Sequence, residues 1–298
     1  MFRPDRIEWP TLVLLLGTYV IWAVATVWVA HWFLPAGMVI VAVAGAQHSS
    51  LQHEVLHGHP TPWKTVNEGL VFPALTIAIP YIRFRDSHLL HHQDSTLTDP
   101  YEDPESNFHD PKEWSKLSQS CQFLLFINNT LAGRMLIGPI VAQITFMQSD
   151  WRAIRAGQRD VLRGWVWHLP AVVCVGLWIF FVSAMPLWAF LISAYASLSI
   201  LKIRTYLEHQ AHEDSRGRTV VIEDRGLLSL LFLNNNFHVV HHLHPGMAWY
   251  RLPMCYFDDP QAYLDHNDGY RFKNYAEVLG KFLFKAKDPV PHPLWSTD

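Results

Sequence analysis

Long uncharged runs alternate with polar, charged segments along the chain. The first run extends from Thr11 to Leu34 without a charged residue. As a helix it would be about 36 Å long, more than the roughly 30 Å of a bilayer core. Pro35 interrupts the apolar pattern, which then continues towards His53, and two further runs meet at Pro186. The pattern predicts four membrane-spanning helices, at residues 11–34, 36–58, 165–183 and 187–208.

The charges at the ends of these runs predict their orientation. The turns near Pro35 and Pro186 carry no charge, whereas arginines collect at the opposite ends of the runs. Because positively charged loops stay in the cytoplasm, we predict two helical hairpins with both chain termini on that side. The arginines concerned are Arg3, Arg6, Arg152, Arg155, Arg159, Arg163, Arg216 and Arg218.

Two other apolar stretches are too short or too polar to be spans. Residues 69–82 contain Pro73 and Pro80, and residues 121–147 contain several polar side chains. We interpret both as interfacial or re-entrant helices. The predicted fold is therefore an all-α integral membrane protein of one domain, residues 1–298. A histidine-rich cytoplasmic cap is predicted from residues 59–164 and 209–298.

The composition agrees with a membrane protein. Half of the 298 residues are hydrophobic and 16% are charged, against about 25% charged residues in soluble domains. The net charge of −3 argues against nucleic acid as a partner. The three cysteines lie far apart, so no disulfide framework or thiolate metal site is expected.

Histidine is unusually frequent, with 18 copies, and most of them fall in clusters. Two clusters have the pattern HxxHH, of which roughly 0.06 would be expected by chance at this histidine frequency. Residues i, i+3 and i+4 share one face of a helix, so each such triplet can point at one centre. The clusters are His53, His57 and His59; His88, His91 and His92; and His238, His241 and His242, with a looser pair at His209 and His212.

These clusters predict a metal site. Imidazole is a ligand for Zn, Cu, Fe and Ni, and one zinc ion takes three or four ligands. Eight or nine histidines are therefore too many for one ion and fit two. Nearby carboxylates are candidates to orient the ligands through their ring N–H groups. These are Glu54, Asp86, Asp94 and Glu208.

The order HExxHGH, HxxHH, HxxHH resembles the three histidine boxes of the membrane fatty acid desaturase and hydroxylase superfamily, which includes alkane hydroxylases and carotenoid ketolases. The resemblance extends to a further histidine after the fourth span, in the stretch Tyr206–His209, and to the asparagines before the third box, among them Asn234. It implies nine ligands: His53, His57, His88, His91, His92, His209, His238, His241 and His242.

The resemblance also implies the chemistry. Two iron ions would use O₂ and electrons from a separate ferredoxin, rubredoxin or cytochrome b5 type of donor, since no haem-binding or cysteine-rich segment is recognisable. The substrate would be an acyl lipid or another apolar molecule, with desaturation the leading reaction and hydroxylation or carotenoid-type ketone formation the alternative. Two rivals from other classes are an intramembrane zinc protease that uses the HExxH of His53–His57, and a non-enzymatic transporter or haem carrier, which would place histidines within its spans.

Overall fold

A computed structural model describes residues 6–92 and 94–296, except for the side chain of Asp94. The described part of the chain is predominantly helical, as predicted, and contains one short parallel sheet. The helices are α1 Trp9–Val24, α2 Ala30–Trp32, α3 Leu34–Leu56, α4 Lys64–Leu70, α5 Tyr81–His91, α6 Pro111–Lys116, α7 Gln119–Asn128, α8 Leu131–Leu136, α9 Gly138–Arg155, α10 Arg159–Phe181, α11 Leu187–Thr205, α12 Leu227–Leu231, α13 His238–Leu243, α14 Leu252–Asp258, α15 Pro260–His266 and α16 Tyr275–Phe282. The strands are β1 Val221–Ile222 and β2 Arg271–Phe272.

Within the residues that the structure describes, four helices are long and apolar enough to cross a membrane. They are Trp9–Trp32, Leu34–Leu56, Arg159–Phe181 and Leu187–Thr205. The predicted number is confirmed, although the third helix begins at Arg159 rather than at residue 165, because the polar turn before the apolar run is also helical. The hairpin arrangement and the cytoplasmic cap remain predictions. Arg3, part of the orientation argument, lies outside the described residues.

The chain separates into two compact units. The first contains the described residues up to Asp86 together with Pro139–Leu201, and the second contains Ser87–Gly138 and the described residues from Lys202 onward. Both HxxHH triplets lie in the second unit, and the HExxH lies in the first.

In the first unit, α1 packs along α3. A β-carbon at Gly37 would lie 2.9 Å from the Ala30 α-carbon, so the close approach of the two backbones there requires glycine. A π-helical turn at Ala25–Val29 interrupts the first span. The Thr26 carbonyl in that turn accepts hydrogen bonds from the Ala184 N–H and the Ser183 hydroxyl, both at 3.0 Å. The interruption thus links the first span to the turn before α11.

The prediction of a helix across residues 69–82 is wrong, because residues 71–80 are not helical. Pro73 and Pro80 lack the N–H that a helix interior needs. Side chains satisfy the carbonyls instead: Gln52 donates to Val71 at 3.2 Å, Gln143 donates to Ala78 at 2.9 Å, and the His168 ring contacts the Ile77 carbonyl at 3.1 Å. Irregular backbone beside apolar helices is tolerated when protein groups satisfy it in this way.

The stretch 121–147 is helical, but it is divided among α7, α8 and α9. Asn129 ends α7, and the Thr130 hydroxyl caps α8 by accepting from the Gly133 N–H at 3.0 Å. Its placement at a membrane interface remains a prediction.

In the second unit, a compact core holds the third histidine box in place. The helix α13 has only six residues, too few to be stable alone. The Val239 N–H donates to the Val220 carbonyl at 3.0 Å, and β1 pairs in parallel with β2. Val239 and Val240 are fully buried against Phe237 and Tyr256, so the two valines of HVVHH anchor the helix while its histidines face another way.

Candidate metal centre

Four histidines of the second unit converge on one point. One nitrogen from each of them lies within 4.8 Å of the others. The His91 and His209 Nε2 atoms are 2.8 Å apart, and the His238 and His209 Nε2 atoms are 3.0 Å apart. The group therefore draws on α5, the segment after α11, and α13. Its members are His91, His209, His238 and His242.

Three further histidines of the same unit form a second group. The His92 and His88 Nε2 atoms are 2.9 Å apart, and the His241 and His92 Nε2 atoms are 3.1 Å apart. The HxxHH spacing explains this division. In the second box, His91 belongs to the first group, and His88 and His92 belong to the second. In the third box, His238 and His242 belong to the first group, and His241 belongs to the second.

Two carboxylates orient the rings of the second box. Asp103 Oδ1 lies 2.7 Å from His91 Nδ1, and Glu105 Oε1 lies 2.8 Å from His88 Nδ1. A carboxylate at Nδ1 keeps a proton there and leaves the Nε2 lone pair for a metal. Asp103 is itself fixed, since its oxygens accept from the backbone N–H groups of Thr98 and Glu105, each at 2.9 Å.

The charges around the first group follow from burial and from these carboxylates. Burial and the neighbouring histidines lower the pKa of His209 and of His238 well below the ordinary value, so both rings are neutral. Burial also lowers the pKa of His91, but the charges of Glu105 and Asp103 outweigh it and raise that pKa to about 9. Burial raises the pKa of Glu105, yet His88 and His91 bring it well below its usual range.

The polar surroundings of the third box come from Asn235 and Glu208. Asn235 Oδ1 lies 3.4 Å from His238 Nδ1, and its amide nitrogen donates to Glu208 at 2.8 Å. Glu208 also lies 3.2 Å from Arg204 Nε and 3.9 Å from His238 Nδ1. Asn234, selected from the sequence, donates instead to the Trp249 carbonyl at 3.1 Å. Asp94, also selected, has its side chain outside the described part of the chain.

The first box lies at the end of α3 in the first unit. His53 is on the helix and His57 is its C-terminal cap, and both are buried with ring centroids 5.1 Å apart. Glu54 lies 3.9 Å from His59 Nε2, whose other ring nitrogen is 2.7 Å from Glu8. Glu54 thus belongs to a cluster with Glu8 and His59.

The carboxylates that contact the second box, Asp103 and Glu105, were not among the candidates chosen from the sequence. The available signal was the acidic segment Asp99–Glu105, which begins seven residues after His92. The helical repeat does not predict where the side chains of an irregular segment point. The pairing of these carboxylates with His91 and His88 therefore became visible only in the three-dimensional structure.

The donor set fits a bound metal. Two nitrogens that each lie about 2.1 Å from one ion, at right angles to each other, are about 3 Å apart. The Nε2–Nε2 distances of 2.8 to 3.1 Å match that separation. A carboxylate on the far ring nitrogen is the usual outer contact of a metal-binding histidine, and a bound metal would displace the second proton that the raised pKa of His91 otherwise keeps on this ring.

Comparison with known proteins gives the family. A family model described as fatty acid desaturase matches residues 26–274. The chain belongs to the fatty acid desaturase family. No curated protein matches it. The match includes every histidine of the three boxes, and the desaturase family implies an oxidoreductase that associates with membranes and acts on an apolar lipid.

Proposed function

We propose that this desaturase-family chain introduces a double bond into an acyl lipid, using O₂, two iron ions and electrons from a separate protein. The observation that carries the proposal is the pair of histidine groups within the family match. Seven histidines of the second unit form two groups, which fits two ions better than one because single sites use three or four protein ligands.

We assign one ion to the group of His91, His209, His238 and His242. The other would be held by His88, His92 and His241 together with the first box, His53 and His57. Support for including the first box comes from its resemblance to family motifs and from donor chemistry: three imidazoles leave coordination positions open, and both first-box rings are buried.

The protein's own residues prepare this centre. Asp103 and Glu105 hold protons on Nδ1 of His91 and His88, so Nε2 of each ring remains a lone-pair donor. Burial of the rings limits competition from water. When bound, the iron pair would supply the reduction of O₂ to two water molecules, which takes two hydrogen atoms from the substrate, two electrons from the donor protein and two protons from solvent.

Four long apolar helices support lateral entry of an apolar substrate from the bilayer. The donor would be of ferredoxin, rubredoxin or cytochrome b5 type. The arginine distribution supports a multi-pass orientation with both termini, and the metal site, in the cytoplasm. Cysteine labelling of intact cells at residues 36 and 285 tests that orientation; labelling at residue 285 from outside would contradict it.

The deciding experiment compares lipids made by the wild type with those made by His241→Ala and His244→Ala variants. His241 is buried in a histidine group, whereas His244 is exposed, so His244→Ala is the matched control. Each protein is expressed in a host with a simple lipid profile, and total lipids are compared by mass spectrometry. We expect a product lacking two hydrogens from wild type and control, but not from His241→Ala.

Other products would change the assignment. A product that gains one oxygen would indicate a hydroxylase, and a ketone would indicate the carotenoid-type branch. An unchanged product from His241→Ala with full iron content would contradict the ligand assignment. Peptide cleavage that depends on Glu54 would instead support a zinc protease.

A further inference from the structure

A small cavity lies beside the first histidine group, entirely within the second unit. Its volume is about 60 Å³, and its lining includes Phe108, Arg134, Tyr206, His209 and Lys287. That volume accommodates a few water molecules, far less than the 300 Å³ or more of a typical site for a whole organic ligand. The cavity therefore suits a small polar group rather than an acyl chain.

Arg134 is a buried cation on this wall, with only 6% of its surface exposed. Its guanidinium donates to the Asn128 carbonyl at 2.9 Å, to the Asn107 side chain at 2.6 Å and to the Asn129 side chain at 3.4 Å. All three acceptors are neutral oxygens. They use three of the five N–H groups of the guanidinium, and no carboxylate among the described residues pairs with it.

The carboxylates around the cavity are already paired. Asp103 and Glu105 bind the second box, Glu208 lies 3.2 Å from Arg204, and Asp288 lies 3.3 Å from the Lys287 ammonium. Burial lowers the pKa of Arg134 to about 10, so the guanidinium stays charged at neutral pH. Burying an uncompensated charge is costly, and a bound anion would remove that cost.

His209 provides an independent observation. Its Nε2 faces His91 and His238, but its buried Nδ1 has no hydrogen-bond partner among the residues that the structure describes. Metal-binding histidines almost always donate the outer N–H to a carboxylate, a carbonyl or water. For His91 that acceptor is Asp103. For His209 the described part of the chain supplies none, and His209 lines the cavity.

We propose that this cavity binds a carboxylate-sized oxyanion, which accepts hydrogen bonds from the Arg134 guanidinium and from His209 Nδ1. The planar fork of a guanidinium matches a carboxylate well. The oxyanion is either the carboxylate of an unesterified fatty acid or a free small anion, and both would provide His209 with its missing acceptor. The role of His209 Nδ1 rests on the proposed iron site, whereas the role of Arg134 does not.

The test uses the full chain in detergent, loaded with iron, and ¹³C-acetate as the probe. An anion held close to iron relaxes faster, so the acetate carboxyl line should broaden on adding wild-type protein. Because a hydrogen bond from a charged donor is stronger than one from a neutral amide, Arg134→Gln should weaken acetate binding by roughly tenfold or more. Arg155→Gln, which removes an exposed arginine, is the matched control and should bind acetate like wild type.

Further variants and probes keep the result interpretable. Arg134→Lys retains the charge if Arg134→Gln does not fold, and it should keep measurable acetate binding. Displacement of acetate by octanoate, but not by methyl octanoate, would identify the carboxylate of an unesterified fatty acid as the ligand. Displacement by inorganic phosphate or bicarbonate alone would identify a free anion.

Equal broadening by wild type and a folded Arg134→Gln variant, or no broadening by iron-loaded wild type, would overturn the proposal. Iron content is measured on the same samples. A protein that holds iron but not acetate refutes the anion site alone, and a protein that holds no iron refutes the proposed function.

Discussion

Asp103 Oδ1 lies 2.7 Å from His91 Nδ1, and this contact pairs a carboxylate of an irregular segment with one ligand of the second histidine box. Two residues further on, Glu105 makes the corresponding contact with His88 at 2.8 Å. His91 and His88 belong to different histidine groups. One short segment therefore orients a ligand in each of the two groups.

This division predicts selective loss of metal. Asp103→Asn and Glu105→Gln each replace a charged acceptor by a neutral amide, and such outer contacts typically change metal affinity by about 10–100-fold. We expect Asp103→Asn to weaken the ion at His91 and Glu105→Gln to weaken the ion at His88. Iron per chain, measured by elemental analysis after dialysis, should fall towards one in each single variant and towards zero in the double variant.

Glu102→Gln is the control for that experiment, because Glu102 lies in the same segment but is exposed. It should retain the wild-type iron content. Loss of both ions in either single variant would show that the segment acts as one structural unit rather than through separate contacts.

His209 and His212 offer a second matched pair. His209 Nε2 lies 2.8 Å from His91, whereas His212 contacts Asp268 at 3.2 Å and the Asp214 backbone at 3.0 Å. We expect the His209→Ala variant to lose one iron ion per chain and to form no lipid product. The His212→Ala variant should keep the wild-type iron content and form the product. Mössbauer spectra of iron-loaded protein would report the change. An unaltered spectrum for His209→Ala would remove this residue from the ligand set.

The features that arise from a regular pattern in the sequence were predictable. Uninterrupted apolar length predicted four long helices, and the HxxHH spacing predicted that each triplet could serve a metal site. The spacing did not show that each triplet divides between two groups, because that depends on how the segments His88–His92 and His238–His242 face each other within the second unit.

Features built from irregular backbone were not predictable in the same way. Apolar composition suggested a helix across residues 69–82, but two prolines and the side chains that reach the carbonyls of Val71, Ile77 and Ala78 favour an irregular course of turns and bends. Likewise, the acidic segment after the second box was visible in the sequence, but only tertiary structure shows which carboxylate meets which histidine.

A substitution at Gly133 would test how closely the second unit is packed. A β-carbon there would lie 1.9 Å from the Ile127 carbonyl oxygen, whereas one at Gly280 would meet nothing within 4 Å. Both glycines are helical. We expect Gly133→Ala to destabilise the protein by about 1–3 kcal/mol and Gly280→Ala to stabilise it slightly, since alanine favours helices by up to about 1 kcal/mol. Thermal unfolding in detergent measures both, and equal melting temperatures would contradict the close contact at Gly133.

Asp150 is a buried hydrogen-bond acceptor in the first unit, and side chains of α5 and α10 donate to it. Arg83 donates to both of its oxygens at 2.9 Å, and the Trp165 indole N–H donates at 2.8 Å. Asp150 is 2% exposed, so Asp150→Ala would leave a largely buried guanidinium without its anion. Removing one partner of a buried pair costs about 3–5 kcal/mol, and we expect a clearly lower melting temperature.

Glu113→Ala is the control for Asp150→Ala, because Glu113 pairs with Lys116 at 2.6 Å on the surface, where an ion pair contributes about 0–1 kcal/mol. The double variant Arg83→Met/Asp150→Ala should recover part of the stability lost in Asp150→Ala, since no charge is then left buried. If adding Arg83→Met to Asp150→Ala lowered the melting temperature by as much as Arg83→Met alone, the two side chains would stabilise the protein independently. Recovery would show instead that the loss in Asp150→Ala came from a buried guanidinium that had lost the Asp150 carboxylate.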